Sequence, residues 1–116
     1  MTEAVAVVVA FNEAINGRDL AALAELMTET HRFIDSAGAT VHGRQACLDA
    51  WQRFFEAFPD YRYAVHTIED VGSGVVTVQG RSRCSFLPLD GPAEWRVVVV
   101  GDRVDLWQVS ESARSG

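Results

Sequence analysis

Apolar side chains recur every third or fourth residue up to Pro59 and every second residue beyond it. The first period is that of an amphipathic helix and the second that of a strand with one buried face, so the pattern predicts helices first and a sheet after. Between Thr2 and Asn16, Val5, Val8, Val9, Asn12 and Ile15 share a helical face, and Gly17 supplies a stop. Asp19 is placed to cap a second, short helix with the stripe Leu20, Leu23, Leu26 and Met27. A third helix, from Arg44 to Phe58, carries Cys47, Leu48, Trp51, Phe54, Phe55 and Phe58 on one face and ends where Pro59 forbids continuation.

His31 to Asp35 alternates around Phe33 and runs into the turn-like Ser36-Ala37-Gly38, with Thr40 to His42 able to pair beside it. After Pro59 the alternation predicts strands at Tyr61 to Val71, Val75 to Phe86, Ala93 to Val100 and Arg103 to Ser110. Gly72-Ser73-Gly74 and Gly101-Asp102 fit tight hairpins, while Leu87 to Pro92 reads as a longer loop. Consecutive hairpins imply an antiparallel sheet. The expected architecture is one α+β domain over residues 1–111, with three N-terminal helices packed on a curved antiparallel sheet to form a cone with an internal pocket. Residues 112–116, small and polar, read as a flexible tail.

Val97 to Val100 is apolar on both faces. One face meets the helices; the other calls for a second subunit, unless the sheet curls enough to shield itself, and a homodimer is the expected assembly.

Charge and composition narrow the function classes. Of 116 residues 48% are hydrophobic and 22% charged, an ordinary globular balance, and the net charge is −6 with the ten basic residues scattered. Such a surface repels phosphate backbones, so no nucleic-acid partner is expected. The run Ala4 to Phe11 is too short to span a bilayer and follows no cationic start, so the expectation is a soluble cytoplasmic protein with no membrane partner. Cys47 and Cys84 lack metal-ligand spacing to each other or to a histidine; two buried, reduced thiols and no metal site are expected.

The segments Phe33-Ile34-Asp35-Ser36-Ala37-Gly38, Val41-His42-Gly43-Arg44-Gln45 and Phe58-Pro59-Asp60, in that order within a helix, helix, strand, helix and four-strand succession, resemble the nuclear transport factor 2-like superfamily. That group includes SnoaL-like polyketide cyclases, ketosteroid isomerases and limonene epoxide hydrolases, and the likeness spans nearly the whole chain. It implies a pocket for a small, largely apolar, oxygenated ligand and chemistry without a cofactor. Asp35 falls where the isomerases keep their general base; as a strand-end aspartate it has the alternative role of accepting amide hydrogen bonds from the following turn.

The family's other catalytic groups are replaced. Phe11 stands where the isomerases place a tyrosine on helix one, Arg96 falls on or beside their strand aspartic acid, and Val109 occupies the place of an epoxide hydrolase aspartate. Steroid isomerisation and epoxide hydrolysis by the family mechanisms are therefore disfavoured. Arg96 has two readings, a surface pair with Glu94 or a donor opposite Asp35 that stabilises negative charge on a substrate oxygen. The candidate catalytic residues are thus Asp35 and Arg96, and the candidate cavity residues Phe11, Phe33, Trp51, Phe55, Tyr63, Trp107 and Val109. His31, His42 and His66 are weighed as structural or solvent-facing. Against an isomerase or cyclase stands a non-catalytic ligand-binding or dimerisation module of the same fold.

Overall fold

The computed structural model describes residues 2–110; the expected tail lies outside the described residues. Helix α1 (Glu3–Asn16) begins at Thr2, whose hydroxyl oxygen accepts the Val5 amide at 3.1 Å, and it buries Val5, Val8, Phe11 and Ile15. Asp19 caps α2 (Leu20–Glu25) by accepting the Ala22 amide at 3.0 Å.

Helix α2 is shorter than its apolar stripe predicts, because Met27 opens strand β1 (Met27–Ile34). Thr28 and Thr30 donate to Asp105 Oδ1 at 2.7 and 2.9 Å, and Met27, fully buried, pairs with Val104. Cross-strand contacts of β-branched residues outweigh the local helical spacing here. Strand β2 (Thr40–His42) follows, then α3 (Arg44–Ala57), which buries Cys47, Trp51 and Phe55.

The remaining strands are β3 (Arg62–Gly72), β4 (Val75–Arg83), β5 (Gly91–Val100) and β6 (Arg103–Ser110), with a short 3₁₀ turn at Leu87–Leu89. Ser73 and Gly74 join β3 to β4 with φ of 57° and 80°, the positive values that a type I′ hairpin demands at both central positions. The six strands lie in the order β2-β1-β6-β5-β4-β3. All neighbours are antiparallel except β1 and β6, which run parallel, so the sheet is mixed. Hairpin signals govern adjacent strands only; the connection from β1 to β6 passes through β2, α3 and the whole meander, long enough for a parallel pairing. With β2 and β3 as edges, the sheet does not close into a barrel.

Helix α1 packs across β3 to β6, and α3 packs over β1 and β2. Behind them runs a file of rings: Phe11 stacks on Trp107 at 4.5 Å, Trp107 packs tilted against Trp95 at 5.2 Å, and Trp95 meets Tyr63 edge-on at 4.9 Å. Among the described residues no helix is long and apolar enough to cross a membrane.

Candidate functional site

A cavity of about 370 Å³ lies between helix α3 and the sheet. The floor is made by side chains that the fold buries: Cys47 and Trp51 of α3, Tyr61 before β3, Ser82 of β4 and Trp95 of β5. Each points inward for a local reason. Cys47 and Trp51 are one helical turn apart, and Ser82 alternates with the exposed Arg81 and Arg83. Phe54 holds Tyr61 edge-on at 4.9 Å and Trp51 at 5.6 Å. The mouth is formed by exposed Ser36, Pro88, Asp90 and Pro92, with half-buried Phe33, Asp35, Leu89 and Val109 between mouth and floor.

Polar groups on this surface are few. Asp35 Oδ1 accepts the amides of Ala37 and Ala39, both at 2.9 Å, and so organises the turn after β1. Tyr61 Oη and Ser82 Oγ are 3.1 Å apart. Burial pushes the Tyr61 phenol above its ordinary pKa, opposed in part by that bond. The Cys47 thiol donates towards the carbonyls of Val41 and His31 at 3.5 and 3.7 Å, and burial raises its pKa as well. Among the described residues the indole N–H of Trp51 is buried without a partner. Among the described residues no arginine, lysine or histidine lines the cavity.

Of the residues singled out from the sequence, Asp35, Phe33, Trp51 and Val109 meet around this cavity. Phe11, Tyr63 and Trp107 do not line it: they form the ring file, where mutual stacking fills the volume that a ligand would need. Phe55 is on the same helix but turned towards α2, where the Arg18 guanidinium lies 5.7 Å from its ring centre. Arg96 is exposed, since strand alternation puts it on the face opposite buried Trp95 and Val97, beside Thr77 and Gln108. The geometry therefore does not set it opposite Asp35. His42 and His66 are exposed, and His31 is buried under α1 against Phe11.

Tyr61, Ser82 and Trp95, like Cys47 beside them on the floor and Asp90 at the mouth, are cavity residues not predicted as site residues from the sequence. The signal for Ser82 was available, because placing Arg81 and Arg83 outward turns Ser82 inward.

The sequence profile of the SnoaL-like domain matches residues 8–111. The chain belongs to the SnoaL-like domain family. Among solved structures, this SnoaL-like domain superposes on a protein from Sinorhizobium meliloti put forward as a polyketide cyclase, with a TM-score of 0.80 at 18% identity over 90% of this chain and 93% of the other. The proposed polyketide cyclase IdmH from Streptomyces antibioticus gives 0.73 at 20% identity over 97% and 94%. A nuclear transport factor 2-like protein of unknown function from Cytophaga hutchinsonii gives 0.76 at 14% over 96% and 91%. Identities this low speak for the fold alone. Comparison with curated proteins finds no match.

Chemically, the cavity offers an apolar box with one carboxylate between floor and mouth and one buried hydroxyl pair on the floor. Among the described residues no group of histidine, cysteine and carboxylate side chains could hold a metal ion.

Proposed function

We propose that this SnoaL-like domain binds a small, largely apolar, oxygenated molecule in the cavity, and that Asp35 exchanges a proton with it in a cofactor-free isomerisation or cyclisation. The supporting observation is the placement of Asp35, half-buried on the cavity wall with Oδ1 held by two amides. Fixing one oxygen orients the other, and a positioned carboxylate is the group that proton transfer at carbon needs. In the step proposed, the carboxylate takes a proton from the carbon next to a carbonyl, and the C–H electron pair moves into the enolate. Return of that proton at another carbon isomerises the ligand; alternatively, attack of the enolate carbon on a second carbonyl closes a ring, the π pair of that carbonyl moves to its oxygen, and the alkoxide takes the proton back from Asp35.

A second reading is favoured by the same turn. Because Oδ1 is committed to Ala37 and Ala39, and Arg96 lies on the outer face, Asp35 serves the turn and the cavity only binds. Deuterium uptake from D₂O at the α-carbon of 1-tetralone, followed by NMR, separates the two. The catalytic reading expects wild-type protein to speed the exchange and Asp35→Asn to return it to the uncatalysed rate. Binding without accelerated exchange leaves the binding module.

A further inference from the structure

The Tyr61 and Ser82 side chains are 4% and 6% exposed, and both line the cavity floor. Their hydroxyls are 3.1 Å apart and have no other hydrogen-bond partner among the described residues. Two hydroxyls carry two protons. Their mutual bond uses one, whichever of them donates, and the second has no acceptor. A buried donor of this kind is costly to leave unmet and is expected to find a partner.

The surroundings define that partner. The carboxylate acceptors on the cavity, Asp35 and Asp90, lie on the wall and at the mouth, and the Cys47 thiol is already directed at backbone carbonyls. The floor therefore has donors in surplus, and the matching ligand atom is an acceptor oxygen. Among the described residues no cationic side chain lines the cavity and the Asp35 carboxylate does, while Asp90 at the mouth is paired with Arg81 at 3.5 Å, so an anionic ligand is disfavoured. The oxygen is then that of a neutral carbonyl compound: a ketone, quinone or lactone. Burial keeps the Tyr61 phenol protonated and so available to donate.

We propose that the Tyr61–Ser82 hydroxyl pair is the subsite that receives the carbonyl oxygen of a neutral ligand and sets the preference for carbonyl compounds over hydrocarbons of the same shape. This rests on the ligand-binding reading of the cavity. A water molecule could accept the same proton, and a carbonyl displaces it without loss because it reproduces the bond, which a hydrocarbon cannot do.

The test is equilibrium binding of 1-tetralone and of tetralin, read by tryptophan fluorescence, to the wild type and to the variants Tyr61→Phe, Ser82→Ala and the double variant. Either hydroxyl alone still has a proton to offer, so each single variant keeps most of the ketone affinity. The double variant loses about tenfold for 1-tetralone and stays within about twofold for tetralin. Equal losses for both compounds, or an unchanged ketone affinity in the double variant, overturn the subsite while leaving the cavity as a binding site. Failure of the wild type to bind either compound removes the cavity reading and the subsite with it. A measurement independent of the variants' folding is the infrared carbonyl stretch of 1-tetralone bound to the wild type. It shifts to lower wavenumber than in cyclohexane if the bond forms, and an unshifted stretch overturns the proposal.

Discussion

Nδ1 of His31 lies 2.7 Å from the carbonyl oxygen of Val104, and the imidazole has no exposed surface. A carbonyl only accepts, so Nδ1 carries the proton and Nε2, which has no partner among the described residues, is left as a bare lone pair against the core. Protonating Nε2 would place a charge there with nothing to solvate it. Burial accordingly lowers the His31 pKa, and the Val104 bond and Asp105 only partly offset it.

Stability should therefore fall as pH drops below the ordinary histidine value. In the window between about 6.5 and the lower folded-state pKa, the unfolded chain binds a proton that the folded one refuses, at a slope of up to about 1.4 kcal/mol per pH unit. Above that window the contribution is constant. Asp60, Asp70 and Asp105, whose pKa values are lowered by hydrogen bonds, act the same way only below the ordinary carboxylate range near about 4. Urea unfolding at pH 7.5 and 5.5 should show a loss that His31→Phe removes, at the cost of a lower but flatter stability.

Asp35 has a turn role that can be separated from any chemical one. Its side chain and the Asp35 amide, which donates to Ala39 O at 3.0 Å, close the loop between β1 and β2. Asp35→Ala removes both side-chain bonds and is expected to cost about 1 to 2 kcal/mol. Asp35→Asn keeps an oxygen to accept them and should cost under about 0.5 kcal/mol in the same urea titration. If the two variants are equally destabilised, the turn depends on the charge instead of the acceptor.

A Cβ built on Gly80 would lie 2.1 Å from the Ala64 carbonyl oxygen and 2.8 Å from Tyr63 Oη. Backbone stands on one side, and on the other is a hydroxyl already donating to Ala93 O at 2.8 Å. Gly80→Ala must therefore push β3 away from β4 or displace Tyr63 from the ring file, for about 3 kcal/mol or more. Loss of the near-ultraviolet signal of Trp95, which Tyr63 meets edge-on, would report the second route.

How much of this was legible depends on whether the deciding contact is local. Trp51 on the inner face of α3 follows from spacing within one helix, and Asp35 beside the cavity from its position at a strand end. The outward turn of Arg96 was also legible, since Trp95 and Val97 flank it and take the buried face. The parallel pairing of β1 with β6 was not, because no turn connects them. Nor was the division of aromatic residues between cavity and core. Phe11 and Trp107 point inward by pattern, and only their stacking on each other shows that they fill space instead of enclosing it. Asn16 escaped notice for a similar reason: its amide donates to Tyr63 O and accepts from Tyr63 N, both at 2.9 Å, as a strand neighbour would.

Arg18 is held at φ 55°, and its guanidinium reaches the carbonyls of Phe58 and Tyr61 at 3.3 and 2.7 Å as well as that of Pro59. These oxygens belong to the turn that leads from α3 into β3, where Pro59 lacks an amide and the helix has ended. Arg18→Ala should cost about 2 kcal/mol, as bonds from a charged donor do. Arg18→Lys cannot span the same carbonyls and should recover less than half of it, checked by thermal unfolding.

Asp60 and Asp90 together decide where β4 ends. Asp60 accepts the Ser85 amide at 3.0 Å and the Cys84 thiol at 3.4 Å, while Asp90 accepts the Cys84 amide at 3.0 Å. Amides captured by side chains are lost to the ladder, so β4 stops at Arg83, short of the Phe86 that alternation predicts, and the chain turns into the segment that brings Pro88 and Leu89 to the cavity mouth. Asp60→Ala should free this segment. Cys84 offers the readout, because it lies under the released bonds, whereas fully buried Cys47 is anchored to α3 and β1 and serves as an internal reference. Modification by a thiol reagent should become several-fold faster at Cys84 and stay unchanged at Cys47. Equal acceleration at both would mean that the variant loosens the whole core, and no acceleration at either would mean that Asp90 alone holds the strand end.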